Sequence, residues 1–195
     1  MKSIVLLPIM CSFLMVGCQE ERTIYYEQLE IRGDIAYEVN STERFTGRVI
    51  ENLPNGQKAS EDSYVSGIRD GFFAEWHENG QMYFKGTYVD GQIDGVFTTW
   101  HENGQKLAEV NYVNGQREGV HTDWYRGGQK GRETNYVNDE MEGIATDWYE
   151  NGQKSLVENY VNGQLEGTRT FYNQDGTEKN SECFKGDEKI SDQKC

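Results

Sequence analysis

A 24-residue periodicity constrains the fold of this chain more than any other feature. The tryptophans recur at that interval: Trp76, Trp100, Trp124 and Trp148. Three further sets keep the same interval, running from Gly47 to Gly167, from Gly56 to Gly176, and from Tyr64 to Tyr160 with Phe184 in phase. Repetition at a fixed period is the signature of repeat architectures. We therefore expect an array of equivalent units, and we call residues that share one position in successive units a column.

Several units contain two Asn-Gly or Asp-Gly dipeptides, such as Asn103-Gly104 and Asn114-Gly115. Asn-Gly is the preferred centre of a type I′ turn and the strongest short hairpin signal. The stretches between the dipeptides are rich in Val, Thr and aromatic residues, which favour strands, and no window has a helical period. The sequence thus predicts an all-β fold, an elongated antiparallel meander with two strands per unit. The turn after Tyr-Val holds either two or three residues, and a one-residue slip would exchange the two faces of the sheet.

The motifs Trp-Tyr-Glu-Asn-Gly-Gln and Tyr-Val-Asn-Gly-Gln-Leu-Glu-Gly resemble the bacterial variant of the MORN repeat. More narrowly, the chain resembles the YwqK-like antitoxin family over roughly residues 40–190. The resemblance implies a repeat fold and a non-enzymatic role, either as an antitoxin or immunity component or as a protein- or membrane-binding scaffold. The third unit departs from the pattern at residues 126–128 and 138–140, and we expect altered turns at both places.

The first residues have the pattern of a targeting signal. Lys2 precedes an apolar run from Ile4 to Val16 that is too short to span a bilayer as a helix. The run ends at Leu14-Met15-Val16-Gly17-Cys18, which resembles a bacterial lipoprotein lipobox. The resemblance implies a signal peptide over residues 1–17, lipid attachment at Cys18 and a location in the cell envelope. The alternative is an ordinary signal peptide. In a Gram-negative host, Gln19 favours the outer membrane.

The rest of the chain divides by its patterning. Residues 18–28 are a polar tether, residues 29–46 are N-terminal capping strands, residues 47–182 are the MORN-type repeats, and residues 183–195 are a C-terminal cap. Outside the cytoplasm, an even pair of cysteines is more often a disulfide than two reactive thiols. We therefore expect Cys183 and Cys195 to pair.

The charge balance restricts the classes of partner. The chain has 33 acidic and 19 basic residues and a net charge of −14. This balance argues against nucleic-acid binding, which depends on Lys and Arg neutralising phosphates. It favours a basic protein partner instead, because opposite charge steers association. Six repeated glutamates near the turns are interpreted as solvated loop charges: Glu78, Glu102, Glu150, Glu118, Glu142 and Glu166.

No motif predicts catalysis or a cofactor. The sequence contains neither a nucleophile elbow nor a phosphate-cradling loop followed by a helix. His77 and His101 lie one unit apart, which is too far for both to bind one metal ion. We expect no enzymatic activity, no cofactor and no metal site.

Binding specificity is expected in the columns whose residues vary between units. These are Phe73/Phe97/His121/Ala145/Arg169 and Tyr83/Leu107/Gly131/Ser155/Lys179. The tryptophan column is interpreted as a packed seam in which residues from intervening strands separate the indoles. The alternative is a platform that stacks on ligands. The candidate binding face comprises Trp76, Trp100, Trp124, Trp148, Phe73, Phe97 and His121.

The function that these patterns favour is that of a membrane-anchored repeat protein mediating protein–protein interaction, of the antitoxin or immunity type. Its partner would be a basic toxin. The alternatives are an envelope scaffold and a lipoprotein that binds cell-wall glycans.

Overall fold

The described chain is almost entirely β-structure. The computed structural model describes residues 22–191. A 3-10 turn at Tyr26–Gln28 follows the first strand. No helix in this range is long and apolar enough to cross a membrane. The strands are β1 (Thr23–Tyr25), β2 (Leu29–Arg32), β3 (Ile35–Glu38), β4 (Gly47–Asn52), β5 (Lys58–Val65), β6 (Ile68–Trp76), β7 (Met82–Val89), β8 (Gln92–Ile93), β9 (Gly95–Trp100), β10 (Lys106–Val113), β11 (Gln116–Arg117), β12 (Gly119–Trp124), β13 (Lys130–Val137), β14 (Glu140–Met141), β15 (Gly143–Trp148), β16 (Lys154–Val161), β17 (Gln164–Leu165), β18 (Gly167–Tyr172), β19 (Glu178–Lys185) and β20 (Glu188–Ile190).

Consecutive strands pair as antiparallel hairpins in one meandering sheet. Within the units the pairs are β4/β5, β6/β7, β9/β10, β12/β13, β15/β16 and β18/β19. Between the units the pairs are β5/β6, β7/β9, β10/β12, β13/β15 and β16/β18. The predicted all-β meander with two long strands per unit is therefore confirmed.

The turns after Tyr-Val, which we call the Tyr-side turns, hold two residues. Val113 pairs with Gln116, leaving Asn114 and Gly115 as the loop. Both loop residues have positive φ, 50° and 80°, as a type I′ turn requires. The register, and with it the assignment of side chains to faces, is thereby decided.

The turns that follow the tryptophans, the Trp-side turns, have a different geometry. Among the residues of one such turn, Gly104 has positive φ and Asn103 does not. The Gly104 N–H donates to the His101 carbonyl at 2.9 Å, which closes a type I turn followed by a left-handed glycine. The prediction of type I′ geometry was wrong here. The Asn103 side chain accepts the Gln105 N–H at 3.1 Å and stabilises the alternative turn.

The second variable column occupies a β-bulge in each unit. Trp100 pairs with Lys106 and Thr99 pairs with Ala108, so Leu107 is an extra residue on its strand. The same register shift recurs in the other hairpins of the array. Bulges re-aim side chains and increase the local twist. Variation in this column is therefore tolerated without disturbing the strand pairing.

An N-terminal cap covers the first hairpin of the array. β1 lies parallel to β4, and β2 pairs with β3 as a separate hairpin within residues 29–46. The cap core comprises Ile24, Ala36, Phe45, Val49 and Tyr64. Ile31, one of the apolar residues whose alternation predicted these strands, is 54% exposed. The predicted tether is shorter than residues 18–28, because residues 23–28 form β1 and the 3-10 turn.

A second small core lies near the other end. It comprises Ala145, Tyr160, Leu165 and Phe184, with Met141 packed against them. Residues 183–185 of the predicted C-terminal cap complete β19, and β20 adds a further strand. Apolar burial is thus divided between separate clusters along the sheet, which agrees with a sequence that is only 35% hydrophobic.

Candidate binding faces and edges

The two faces of the sheet carry different columns. Side chains alternate along a strand and cross-strand partners share a face, so the registers assign each column to one side. The tyrosine column and the Phe73 column lie on one side, the tyrosine face. The tryptophan column lies on the other, the tryptophan face. The structure therefore divides the candidate binding set: the tryptophans lie opposite Phe73, Phe97 and His121, because Phe73 and Trp76 are three residues apart on one strand.

Lysine side chains separate the indoles on the tryptophan face. The Nζ atoms of four lysines lie 5.1, 5.7, 5.4 and 5.3 Å from the indole centroids, in the pairs Lys58/Trp76, Lys85/Trp100, Lys106/Trp124 and Lys130/Trp148. Three of these lysines also pair with a carboxylate three residues along the strand: Glu61, Glu109 and Glu133. Each exposed cation–π contact contributes about 0.5–1 kcal/mol. The indole surface beneath each ammonium group is closed to a stacking ligand.

An aromatic cluster occupies the N-terminal half of the tyrosine face. Phe73 is buried, and its ring centroid lies 5.9 Å from Phe84, 4.4 Å from Tyr88 and 5.9 Å from Phe97. Phe73 and Phe97 meet across the intervening strand because Gly86 lies between them. A Cβ at Gly86 would be 2.7 Å from the Phe73 ring and 3.0 Å from the Phe97 ring. A close approach of two rings therefore depends on this glycine.

The C-terminal half of the same face is ionic. Glu158 is 3% exposed. Its carboxylate pairs with Arg169 at 2.5 Å, accepts the Tyr160 hydroxyl at 3.0 Å, and lies 3.8 Å from Arg132. Arg132 also pairs with Asp147 at 3.2 Å. Along the array, this face thus changes from stacked rings to a buried charge network.

Three carboxylates, those of Glu51, Asp62 and Glu75, lie close together on the tyrosine face, towards the Trp-side turns. Burial raises the pKa of Asp62, and Arg69, whose Nε lies 3.3 Å away, opposes that rise. Burial also raises the pKa of Glu75, and the carboxylates of Asp62 and Glu51 raise it further. Glu75 forms no ion pair with any residue in the range 22–191. This corner therefore carries uncompensated negative charge.

Asparagine side chains join successive Trp-side turns. Asn79 Nδ2 donates to the Glu102 carbonyl at 2.7 Å while its Oδ1 accepts the Gln81 N–H. Asn103 and Asn151 make the equivalent bond to the following unit at 2.8 Å. The amide of each asparagine thus satisfies both its own turn and the backbone of its neighbour.

The histidine column makes a similar bond to the following unit. His77 Nε2 lies 3.0 Å from the Trp100 carbonyl oxygen. In a later unit the Tyr125 hydroxyl donates to the Trp148 carbonyl at 2.6 Å. Within the described residues, no group of three His, Cys, Asp or Glu side chains is arranged to hold a metal ion.

Acidic depressions open between neighbouring Trp-side turns. One of about 480 Å³ is lined by Trp76, His77, Glu78, Asn79 and Glu102. A second, of about 310 Å³, shares Glu78. In the described part of the chain, Glu78 and Glu150 have no ion-pair partner, and Glu102 lies 3.7 Å from Arg126. The larger depression therefore combines the unpaired carboxylate of Glu78 with an aromatic wall of Trp76 and His77.

Most basic side chains are already paired with carboxylates of the same chain. The paired residues are Arg22, Arg32, Arg48, Lys58, Arg69, Lys106, Arg117, Arg126, Lys130, Arg132, Arg169 and Lys189. The acidic excess of the chain consequently appears as carboxylates without a basic partner among the described residues, and Glu78 and Glu150 at the Trp-side edge are two of them.

The carboxylates at the Tyr-side edge have a structural role. Glu142 accepts the Asn162 N–H at 2.8 Å, so the acid of one unit bonds to the turn of the next. Four further carboxylates make the same bond: Asp70, Asp94, Glu118 and Glu166. The interpretation of Glu118, Glu142 and Glu166 as solvated loop charges was therefore wrong. The available signal was an acid directly before the column glycine in five successive units, from Asp70-Gly71 to Glu166-Gly167.

Both departures in the third unit keep their turns. Gly127 takes the position that asparagine holds in the other Trp-side turns. The Gly128 N–H nevertheless donates to the Tyr125 carbonyl at 2.8 Å. Asp139 takes the usual glycine position with a φ of 70°, and Arg117 Nε donates to its carboxylate at 2.9 Å. The expectation of altered turns was wrong, because the paired strands on either side of each turn impose its geometry. Gly127 has no side-chain amide, so the hydrogen bond that asparagine makes to the next unit is absent at this turn.

The predicted modification sites are only partly within the described range. The signal peptide (1–17), Cys18 and Cys195 lie outside it. Cys183 is 2% exposed on β19. The lipidation of Cys18 and the pairing of Cys183 with Cys195 stay predictions.

Comparison with known proteins supports the repeat. Residues 70–90, 93–114 and 141–162 each match the family model described as the MORN repeat variant. No curated protein matches the chain. Among solved structures, the chain is similar to a mutant of S. aureus TarM in complex with Fondaparinux, alpha-GlcNAc-glycerol and UDP. That match has 10% identity and a TM-score of 0.31, and covers 60% of this chain and 21% of the other. The chain therefore contains MORN-type repeats, and the TarM similarity carries no functional information.

Proposed function

We propose that this chain is a non-enzymatic, envelope-anchored repeat protein that binds a basic protein through its Trp-side edge. One observation carries the proposal: Glu78, Glu102 and Glu150 recur at one position of the Trp-side turns, interrupted by Arg126 in the third unit, while most arginines and lysines are paired internally. Equivalent positions in adjacent units are separated by two strands, or roughly 9.6 Å. Basic side chains spaced along an extended segment of a partner fit this series.

The partner class follows from charge. An acidic edge attracts a basic protein over a distance and increases its rate of association. Neutralising a secreted basic toxin is the role that agrees with this chemistry and with the envelope location. In this proposal, the acyl chains on Cys18 hold the repeat array at the membrane surface.

The test compares two sets of neutral substitutions. Glu78→Gln, Glu102→Gln and Glu150→Gln remove three charges from the Trp-side edge. Their matched control removes three exposed charges elsewhere: Asp90→Asn, Glu140→Gln and Glu188→Gln. The probe is a fluorescent nona-arginine peptide, followed by native-host proteins captured at low salt.

We expect the Trp-side variant to lose about tenfold or more in peptide affinity at low salt, and the control to lose about twofold or less. Binding by the unsubstituted chain should weaken as salt rises. Equal losses in the two variants would show that only the total charge matters, and salt-independent binding would exclude the electrostatic mechanism.

Membrane attachment is tested separately with Cys18→Ser. This variant should leave the membrane fraction and appear in the soluble fraction, because the acyl chains supply the attachment. Persistent membrane attachment would exclude lipidation at Cys18 as the anchor and favour the envelope-scaffold alternative.

Binding of cell-wall glycans is less well supported, because lysine ammonium groups cover the indoles. Titration with cell-wall sugars should leave tryptophan fluorescence unchanged. A saturable change that Trp100→Leu abolishes would reverse this conclusion.

A further inference from the structure

The tryptophan face carries an exposed apolar stripe that the proposed edge does not use. It runs along the half of the face nearer the Tyr-side turns. Its residues have exposures between 37% and 58%, and they are Val65, Ile68, Phe72, Val89, Val96, Val113, Val120, Val137, Ile144 and Val161. Single exposed apolar residues are ordinary, whereas exposed apolar residues that recur at the same positions of successive units form an extended surface of the kind that marks an interaction site.

The cross-strand partners of the stripe are nearly all uncharged. Val96 pairs with Asn111, Val120 with Asn135 and Ile144 with Asn159. Next to the Tyr-side turns, the valines pair mainly with glutamines: Gln92, Gln116 and Gln164, with Glu140 as the charged exception. The surface is therefore a checkerboard of branched apolar and uncharged polar side chains. A strongly basic partner finds little charge to bind there.

A second copy of the chain matches this surface in period. The stripe repeats every two strands, or roughly every 9.6 Å. A two-fold related copy presents the same checkerboard at the same interval, so the β-branched side chains of the two copies can interdigitate. Two sheets packed face to face at about 10 Å interdigitate side chains in this way. Contact between identical patches is the usual geometry of a homodimer.

The area is sufficient for a modest dimer. Full burial of an aliphatic side chain removes roughly 100 Å² from water, so half-exposed residues still offer roughly 50 Å² each. The stripe then supplies roughly 500 Å² per copy and roughly 1,000 Å² per pair, which is near the lower limit for a specific interface.

From these observations, we propose that the apolar stripe of the tryptophan face is a homodimer interface that packs two repeat sheets face to face. The Trp-side edges then remain exposed on both copies. Dimerisation does not depend on the identity of the basic partner.

The test is sedimentation equilibrium of the full chain in density-matched mild detergent micelles. The substitutions Val96→Lys, Val120→Lys and Ile144→Lys place charges in the centre of the stripe. The control, Gln81→Lys, Gln105→Lys and Gln153→Lys, adds the same charge at exposed Trp-side turns. A second interface variant, Val96→Thr, Val120→Thr and Ile144→Thr, keeps β-branched residues and hence strand propensity.

We expect the unsubstituted chain and the control to dimerise at about 100 µM, and the lysine variant to have a dissociation constant at least about 100-fold higher. The threonine variant should weaken dimerisation about tenfold with an unchanged circular dichroism spectrum. If the lysine variant does not fold, the threonine variant decides. A monomeric unsubstituted chain, or an interface variant that folds and dimerises like the control, would overturn the proposal.

Discussion

Replacing the buried carboxylate of Glu158 should destabilise the C-terminal half of the sheet. Glu158→Gln keeps the side-chain volume but removes the charge that compensates Arg169 at 2.5 Å. Breaking a buried ion pair by removing one partner costs about 3–5 kcal/mol, because the other charge is left buried. The Arg169 and Arg132 side chains retain 30% and 36% exposure. Water therefore compensates part of the loss, and we expect a destabilisation of about 2 kcal/mol.

The assay is urea unfolding followed by circular dichroism, together with hydrogen exchange. For a chain of this size, about 2 kcal/mol corresponds to a decrease of about 4–8 °C in melting temperature. Units in a repeat array are stabilised by their nearest neighbours. Exchange protection should therefore fall in β15 to β19 and stay unchanged in β4 to β7.

Two further variants isolate the cause. Glu133→Gln removes a carboxylate that is 41% exposed and pairs with Lys130, and it should cost less than about 1 kcal/mol. The double variant Glu158→Leu with Arg169→Leu removes both charges and should recover much of the lost stability. If Glu158→Gln costs no more than Glu133→Gln, the buried network does not stabilise this end of the sheet.

Three other substitutions test separate parts of the structure. Gly86→Val should cost about 1–3 kcal/mol by overpacking and weaken the near-ultraviolet signal of the aromatic cluster, and an unchanged spectrum would show that the Phe73 ring moves aside freely. Glu142→Ala should lower the free energy of unfolding by about 1 kcal/mol and speed hydrogen exchange of the Asn162 amide, since that N–H loses its carboxylate acceptor. Unaltered exchange would contradict the role of Glu142 in joining successive units. Glu75→Gln should raise the melting temperature at pH 7 but not at about pH 3. A carboxyl whose pKa is raised on folding destabilises the folded protein once the pH rises above that pKa, and a neutral glutamine removes this cost. A lower melting temperature at pH 7 would contradict the charge crowding.

Local patterns predicted the fold well because each unit encodes its own hairpin. Asn114-Gly115 specified a type I′ turn and the strands on either side of it. Asn103-Gly104 was misassigned, because the same dipeptide forms a different turn when its asparagine side chain bonds within the loop. The N-terminal cap was harder to predict. Ala36 is buried because the cap packs against the array, and the alternation of apolar residues within the cap does not predict this.

The candidate site was less predictable because its features arise between units. Glu142 and Asn79 look like ordinary turn residues in the sequence, and their bonds to the next unit appear only when the strands are in register. Lys106 is close to Trp124 for the same reason, although 18 residues separate them in the chain.

The 24-residue period, the alternation of strands with turns and the excess of negative charge can be derived from the sequence alone, because these properties are local or additive. The sharing of faces depends on contacts between units in the folded sheet. So does the distinction between carboxylates that are bonded and those that lack an ion-pair partner among residues 22–191. Side chains alternate with a period of two along a strand, and a single bulge or turn residue changes every later assignment. The acidic edge and the apolar stripe therefore became visible only once the register of the whole sheet was known.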